Sequence, residues 1–271
     1  MKVFFIEESC KIGGVQSSTF FFSRWLKNQN YIYIKILLPS DGDFMELCKK
    51  NGLVYSNYRG RFPKSSSLSF FNDRYRFPNL LSWIYNSFAI INNIFKVRSK
   101  LKSDIPDIVI TKGFYSHIYT SIACKSLDIK TICHLQDLIT NRYKGILRYL
   151  FNIFLKIFFD FVVCDGQKIF DNLSGSLKKK STIIPNGIVF EELKKSKTRG
   201  LRFRKKLNIP SDSYLIGNLS RFTPWKGQLE LLKAFIDYSK SNKKSFLIIA
   251  GSPLFENDKY FNKIKKIILD N

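Results

Sequence analysis

Acidic residues are scarce in this chain: 21 Asp and Glu stand against 45 Lys and Arg, a formal charge of +24 over 271 residues. Such an imbalance favours contact with polyanions, whether nucleic acid, anionic lipid or phosphorylated substrates, and the sign alone does not choose among them. A composition biased towards Lys, Asn, Ile and Phe gives the same sign without any function. Histidine is scarcer still, with His117 and His134 the only two. The five cysteines, at positions 10, 48, 124, 133 and 164, are odd in number and lack C-x-x-C spacing. That pattern suits a reducing compartment and argues against a disulfide framework or a structural zinc site.

Long hydrophobic runs are missing too. The most apolar stretch, Tyr149 to Cys164, is interrupted by Lys156 and Asp160 and falls short of the roughly 20 residues a bilayer crossing needs. The opening MKVFFIEES has too short an apolar core for a signal peptide and no small-residue cleavage site. These absences predict a cytoplasmic protein, or one lying on the inner face of a membrane. No zinc-finger, RNP or helix-turn-helix pattern is present, so nucleic acid ranks last among partners. No G-x-G-x-x-G marks an NAD or FAD site.

What is present is an alternation. Val3–Ile6, Ile32–Leu38, Asp107–Thr111, Lys130–His134, Phe161–Cys164 and Ser181–Ile184 read as strands. Between them Gln16–Lys27, Asp41–Lys50 with Asp41 as a candidate cap, Leu80–Lys100, His117–Ser126, Lys144–Phe159 and Gly166–Leu173 read as helices. Arg59–Arg76, with Gly60, Pro63 and a serine run, reads as a loop over the sheet edge. Strands spaced by helices predict an α/β fold with a parallel sheet covered on both faces. The first domain is expected to span residues 1–187. After the basic connection Glu191–Pro210 the alternation restarts as Tyr214–Leu219, Gly227–Lys240, Ser245–Ala250 and Asn257–Leu269. Residues 188–271 are therefore expected to be a linker and the start of a second domain.

Three constellations carry chemistry. Gly13-Gly14 follows the first strand and opens a helix, where backbone N–H groups meet a phosphate or sugar; a tight turn would use the same glycines. His134-Leu-Gln-Asp137 follows a middle strand, at the edge where open α/β sheets bind ligands. Asp137 would equally serve as a loop brace, and His117, at a strand-to-helix junction, reads as structural. In Leu219-Ser-Arg-Phe-Thr-Pro-Trp-Lys-Gly-Gln228, Arg221 and Lys226 stand five residues apart in a loop between strand and helix. Two cations so placed neutralise a diphosphate as it leaves; a solvated loop would carry them without that role.

With Pro185-Asn186-Gly187, these motifs in this order resemble the GT-B glycosyltransferases of family 4. The resemblance spans essentially the whole chain. It implies a GT-B-like fold, with a complete N-terminal Rossmann-like domain on the acceptor side and the start of a second Rossmann-like, nucleotide-sugar-binding domain. It implies retaining transfer of a sugar from a nucleotide-diphosphate donor, the substrate rather than a cofactor, to a lipid-linked or polysaccharide acceptor. Arg221 and Lys226 would hold the diphosphate, Gly13 and Gly14 would lie where donor and acceptor meet, and His134 to Asp137 would form the catalytic crevice wall. No metal is implied, since protein cations do that work. Many members carry His or Asn where this chain has Lys112-Gly113. The family's Glu-x7-Glu segment, which holds donor sugar and ribose, has no counterpart before Asn271. The expectation is a truncated or split product, with a separately encoded C-terminal segment as partner, or else a non-catalytic acceptor-binding module.

Membrane contact rests on its own residues. Ile146, Leu150, Phe151, Phe154, Leu155 and Phe158 recur at helical spacing among Lys144, Arg148 and Lys156. A helix seeking anionic lipid looks like this, and so does one buried in the first domain's core.

Overall fold

A computed structural model describes residues 1–29, 31–64, 67–70, 75–138, 145–187, 196–253 and 259–270. The chain divides into two compact units, Met1–Ile188 and Val189–Asn271.

In the first unit the strands β1 (Lys2–Glu7), β2 (Tyr33–Leu38) and β3 (Tyr55–Asn57) are separated by α1 (Gly14–Lys27) and α2 (Asp43–Lys50). A short antiparallel pair, β4 (Ser67–Phe70) and β5 (Tyr75–Pro78), precedes α3 (Leu80–Ser103). Then come β6 (Ile108–Lys112), α4 (Phe114–Lys125), β7 (Lys130–Leu135), α5 (Ile146–Phe158) and β8 (Phe161–Cys164). The short helices α6 (Gln167–Asp171) and α7 (Gly175–Lys178) lead to β9 (Ser181–Ile183). All but β4 and β5 join one parallel sheet in the order β3-β2-β1-β6-β7-β8-β9. The chain winds outward from β1 to β3, then returns to β1's other side, which makes β1/β6 the switch point of the sheet.

Alternation along β1 explains the layering, because successive side chains of a strand point to opposite faces. Val3 and Phe5 enter one core with residues of α1 and α2. Phe4 and Ile6 enter the other with Val97 and Leu101 of α3 and Tyr119, Ala123 and Cys124 of α4. A third cluster gathers Cys133, Leu135, Val162 and Cys164 under Phe151 and Leu155 of α5. The five cysteines are free and buried. Among the described residues no helix is long and apolar enough to cross a membrane.

Several sequence expectations change. Gly42, not Asp41, is the residue at the α2 N-terminus, and the Asp41 carboxylate accepts a hydrogen bond from Asn57 instead. The stretch expected to be only a loop holds β4 and the start of β5, and β3 was not anticipated; runs of three or four residues are too short for a strand period to stand out among turn-forming residues. The helix expected from His117 begins three residues earlier, at Phe114, and Lys144 lies outside the described residues.

The second unit holds α8 (Ser196–Lys206), β10 (Tyr214–Leu219), α9 (Gln228–Ser241), β11 (Ser245–Ala250) and α10 (Lys259–Leu269). Its two parallel strands pair from Tyr214 and Ser245 to Leu219 and Ala250. Phe222, Leu232 and Ile264 form its small core, and every residue of β11 is only half-buried. Each unit is α/β, with parallel strands joined through helices, as expected of a Rossmann-like domain and the start of a second.

Candidate active site

All strands of the large sheet run one way, so their carboxyl ends line one edge, where side chains beyond the strands collect. Glu7 ends β1 beside Lys112, its register partner at the end of β6. Both are buried. The Glu7 carboxylate accepts from Gln16 Nε2 at 2.9 Å and from the Thr19 hydroxyl, both on α1. Burial still dominates and pushes its pKa up to about 7, with Thr19, Lys112 and Gln16 opposing. Burial likewise lowers the Lys112 pKa to about 8 against the charges of Glu7 and Asp165.

Lys112 Nζ donates to Ser18 Oγ at 2.8 Å, and Gln136 Nε2 donates to the same oxygen at 3.1 Å. Gln136 also reaches Asn186 Oδ1 at 3.4 Å, and Asn186 Nδ2 donates to Asp165 Oδ2 at 2.6 Å. The other Asp165 oxygen meets His134 Nε2 at 2.6 Å. One polar chain thus ties α1, β6, β7, β8 and the Pro185-Asn186-Gly187 turn. Desolvation lowers the His134 pKa despite the Asp165 hydrogen bond, so the imidazole is neutral at pH 7. A carboxylate only accepts, which assigns the proton to Nε2 and leaves Nδ1 a lone pair.

The glycine pair opens α1, the helix that carries Gln16, Ser18 and Thr19 of this network. Gly13 is the residue before α1, with extended backbone, and no side chain caps that helix end. A Cβ at Gly14 would meet nothing within 4 Å. Neither glycine is required by a left-handed turn, and Gly14 leaves open space at the α1 N-terminus. Gly113 differs, with φ of 95° and a virtual Cβ 2.5 Å from the Glu8 side chain. Glu8 Oε2 there accepts the Tyr115 N–H at 2.8 Å and so holds the α4 N-terminus. Asp137 is exposed on the same rim, close enough for its charge to raise the Glu8 pKa, which burial raises first. It has no place in the polar chain. His117 is buried, its Nδ1 2.6 Å from Thr111 Oγ1, and burial lowers its pKa to about 3, as befits a structural residue.

In the second unit, Arg221 and Lys226 are both exposed on the β10–α9 loop. Pro224–Lys226 form a 3₁₀ turn, and Gly227 closes it at φ 71° and starts α9. Gln228 is fully buried beneath, donating from Nε2 to Ser220 Oγ at 2.9 Å and to the Arg221 carbonyl at 2.6 Å. A Cβ at Gly251 would lie 1.9 Å from the Ser220 oxygen, so only glycine lets the β11 end pass under this loop.

The model of Glycosyltransferase Family 4 matches residues 12–192. The chain belongs to that family. An uncharacterized glycosyltransferase of Methanocaldococcus jannaschii is 26% identical over 215 residues, 74% of this chain and 51% of that protein. A Staphylococcus saprophyticus N-acetylglucosamine transferase, named for UDP-N-acetylglucosamine and a pyrophosphoryl-undecaprenol substrate, is 31% identical over 111 residues, 40% of this chain and 30% of that protein. The Anabaena protein HepE, solved with UDP-glucose, shares the fold at TM-score 0.77 and 18% identity, over 100% of this chain and 66% of its own. The family chain described here thus spans about half the length of the archaeal relative.

Sequence reasoning singled out His134, the glycine pair and the Arg221/Lys226 loop. It missed Asp165, Glu7, Ser18 and Gln228. Asp165 directly follows the carboxyl end of β8, beside the end of β7 that carries His134, so the same positional rule would have found it. Lys112 was visible only as a departure from the family pattern.

Proposed function

We propose that the chain supplies the acceptor-side domain and the diphosphate-holding loop of a retaining glycosyltransferase that moves a sugar from a nucleotide-diphosphate donor to a lipid-linked or glycan acceptor. The observation that carries this reading is family membership, joined to a network at the sheet's switch point and a paired-cation loop after β10. The S. saprophyticus relative, by its name, acts on a lipid-linked substrate, and HepE was solved with UDP-glucose.

In this reading Arg221 and Lys226 neutralise the diphosphate, so no metal ion is needed, and the open α1 N-terminus at Gly13-Gly14 faces donor phosphate or acceptor. Asp165 fixes the His134 ring, whose Nδ1 accepts a hydroxyl proton or hydrogen bond from substrate. Gln136 Oε1 is buried without a hydrogen-bond partner among the described residues and takes a sugar hydroxyl. Asp137 stays at the crevice rim, where its charge meets the acceptor.

Phosphorus NMR of UDP and GDP in the presence of the chain tests the loop, because line broadening reads weak binding. Arg221→Ala and Lys226→Ala are each expected to weaken binding by roughly ten- to a hundredfold, the loss of one charge-assisted contact. Lys233→Ala, on α9 outside the loop, serves as the control. Equal broadening for all variants would sink the assignment.

A further inference from the structure

Helix α3 is apolar on two faces: Ala89, Val97 and Leu101 are buried towards the core, and a second apolar stripe points outward. Leu80, Leu81, Ile84, Phe88, Ile91 and Phe95 are exposed, Leu81 by 80% and Phe95 by 67%, while Ser82, Asn86 and Asn93 are buried. Hydrogen bonds made from the inner face fix this orientation. Asn86 accepts from the Lys64 N–H at 2.7 Å and donates to the Lys64 carbonyl at 2.9 Å. Asn93 does the same with Arg61, at 2.8 and 2.9 Å. Turning the apolar stripe inward would strand two amides and two peptide groups, so the outward stripe is built in.

Helix α5 repeats the arrangement. Phe151 and Leu155 face the core, whereas Ile146, Tyr149, Leu150, Ile153 and Ile157 are exposed. Between them lies α4, which packs on both; exposed Phe114, at its start, stacks on Phe151 with ring centroids 5.0 Å apart. A face of this extent is larger than scattered surface apolar residues explain.

Charge selects what covers it. None of the three helices contains Asp or Glu. The α3 stripe runs on into Arg98 and Lys102, Lys125 ends α4, and Lys156 flanks the α5 stripe. Carboxylates beside the helix ends are engaged elsewhere: Glu8 by the Tyr115 N–H, Asp104 by Lys2 and Lys35, and Asp160 by the Thr131 N–H and Lys130. An apolar band bordered by uncompensated cations matches an anionic bilayer surface, into which the aromatic and aliphatic side chains insert while Lys and Arg meet lipid phosphates.

We propose that the outward face of α3, α4 and α5 is a docking surface for anionic membranes. The helices begin at the sheet edge that carries the His134–Asp165 network and end, with their cations, at the opposite one. The inference goes beyond glycosyl transfer, and its test needs no donor or activity.

Vesicle co-sedimentation of the full chain decides it, using phosphatidylcholine alone and phosphatidylcholine with about 30% phosphatidylglycerol. Binding is expected only with the anionic vesicles, and raising salt from about 0.1 to 0.5 M should weaken it severalfold. Phe88→Ser/Phe95→Ser, on exposed positions, should lower the partition coefficient by about tenfold or more with an unchanged circular dichroism spectrum. Lys102→Glu/Lys156→Glu should lower it while leaving the stripe intact. Equal recovery with both vesicle types at low salt, or variants that bind like wild type, would overturn the proposal. So would concentration-dependent self-association that Phe88→Ser/Phe95→Ser abolishes in the absence of vesicle binding, since a second copy would then cover the face.

Discussion

Glu7 shows how one residue reports its surroundings through pH. Its folded pKa, pushed up to about 7, lies above the ordinary carboxylate value, so the folded state holds a proton that the unfolded chain has released. Stability from Glu7 is therefore present at acidic pH and lost as pH rises from about 4.5 to 7. His117 and His134 act oppositely, because burial lowers their pKa values and the unfolded chain takes up their protons first. Glu7→Gln separates the two. Urea unfolding at pH 5 and pH 7.5 should show the stability difference, variant minus wild type, growing by roughly 2 kcal/mol in the variant's favour towards the higher pH. A pH-independent difference would mean that Glu7 is ionised throughout.

At the scale of elements, two glycines that look alike in sequence part company. Gly113 sits at positive φ against Glu8, so Gly113→Ala should cost about 1–3 kcal/mol and loosen the start of α4. Gly14→Ala enters open space on a helical backbone and should change stability by less than about 0.5 kcal/mol. Thermal melts of both variants check the contrast. Similar losses would mean that Gly14 is held by the turn and not left open for an approaching group. Helix direction is the other lesson here. The period of α3 was legible, but which side faces inward was not, since Asn86 and Asn93 find backbone partners 22 and 32 residues upstream.

At the scale of the molecule, the two units carry separate cores of unequal size. The first has clusters on both sheet faces, and the second rests on Phe222, Leu232 and Ile264 with half-buried neighbours. Leu232→Ala should therefore destabilise the second unit by about 2–4 kcal/mol, near the total such a core can offer. Denaturation followed by far-UV circular dichroism and by limited proteolysis is expected to show that loss before any change in the first unit. A single transition, shifted as a whole by Leu232→Ala, would show the units to unfold together.

The sequence by itself determined the α/β alternation, the positions of most strands, the glycine pair, His134 and the paired-cation loop, because periodicity and strand-end placement are local signals. It also carried the family, through motifs in a fixed order. Tertiary structure alone decided that Lys112 and Glu7 are buried side by side, that Asp165 and Asn186 hold His134 and Gln136 in one chain, and that α3 turns its apolar stripe outward. Those outcomes depend on groups brought together from 21 to 118 residues apart, and on desolvation and hydrogen-bond partners that no local pattern encodes.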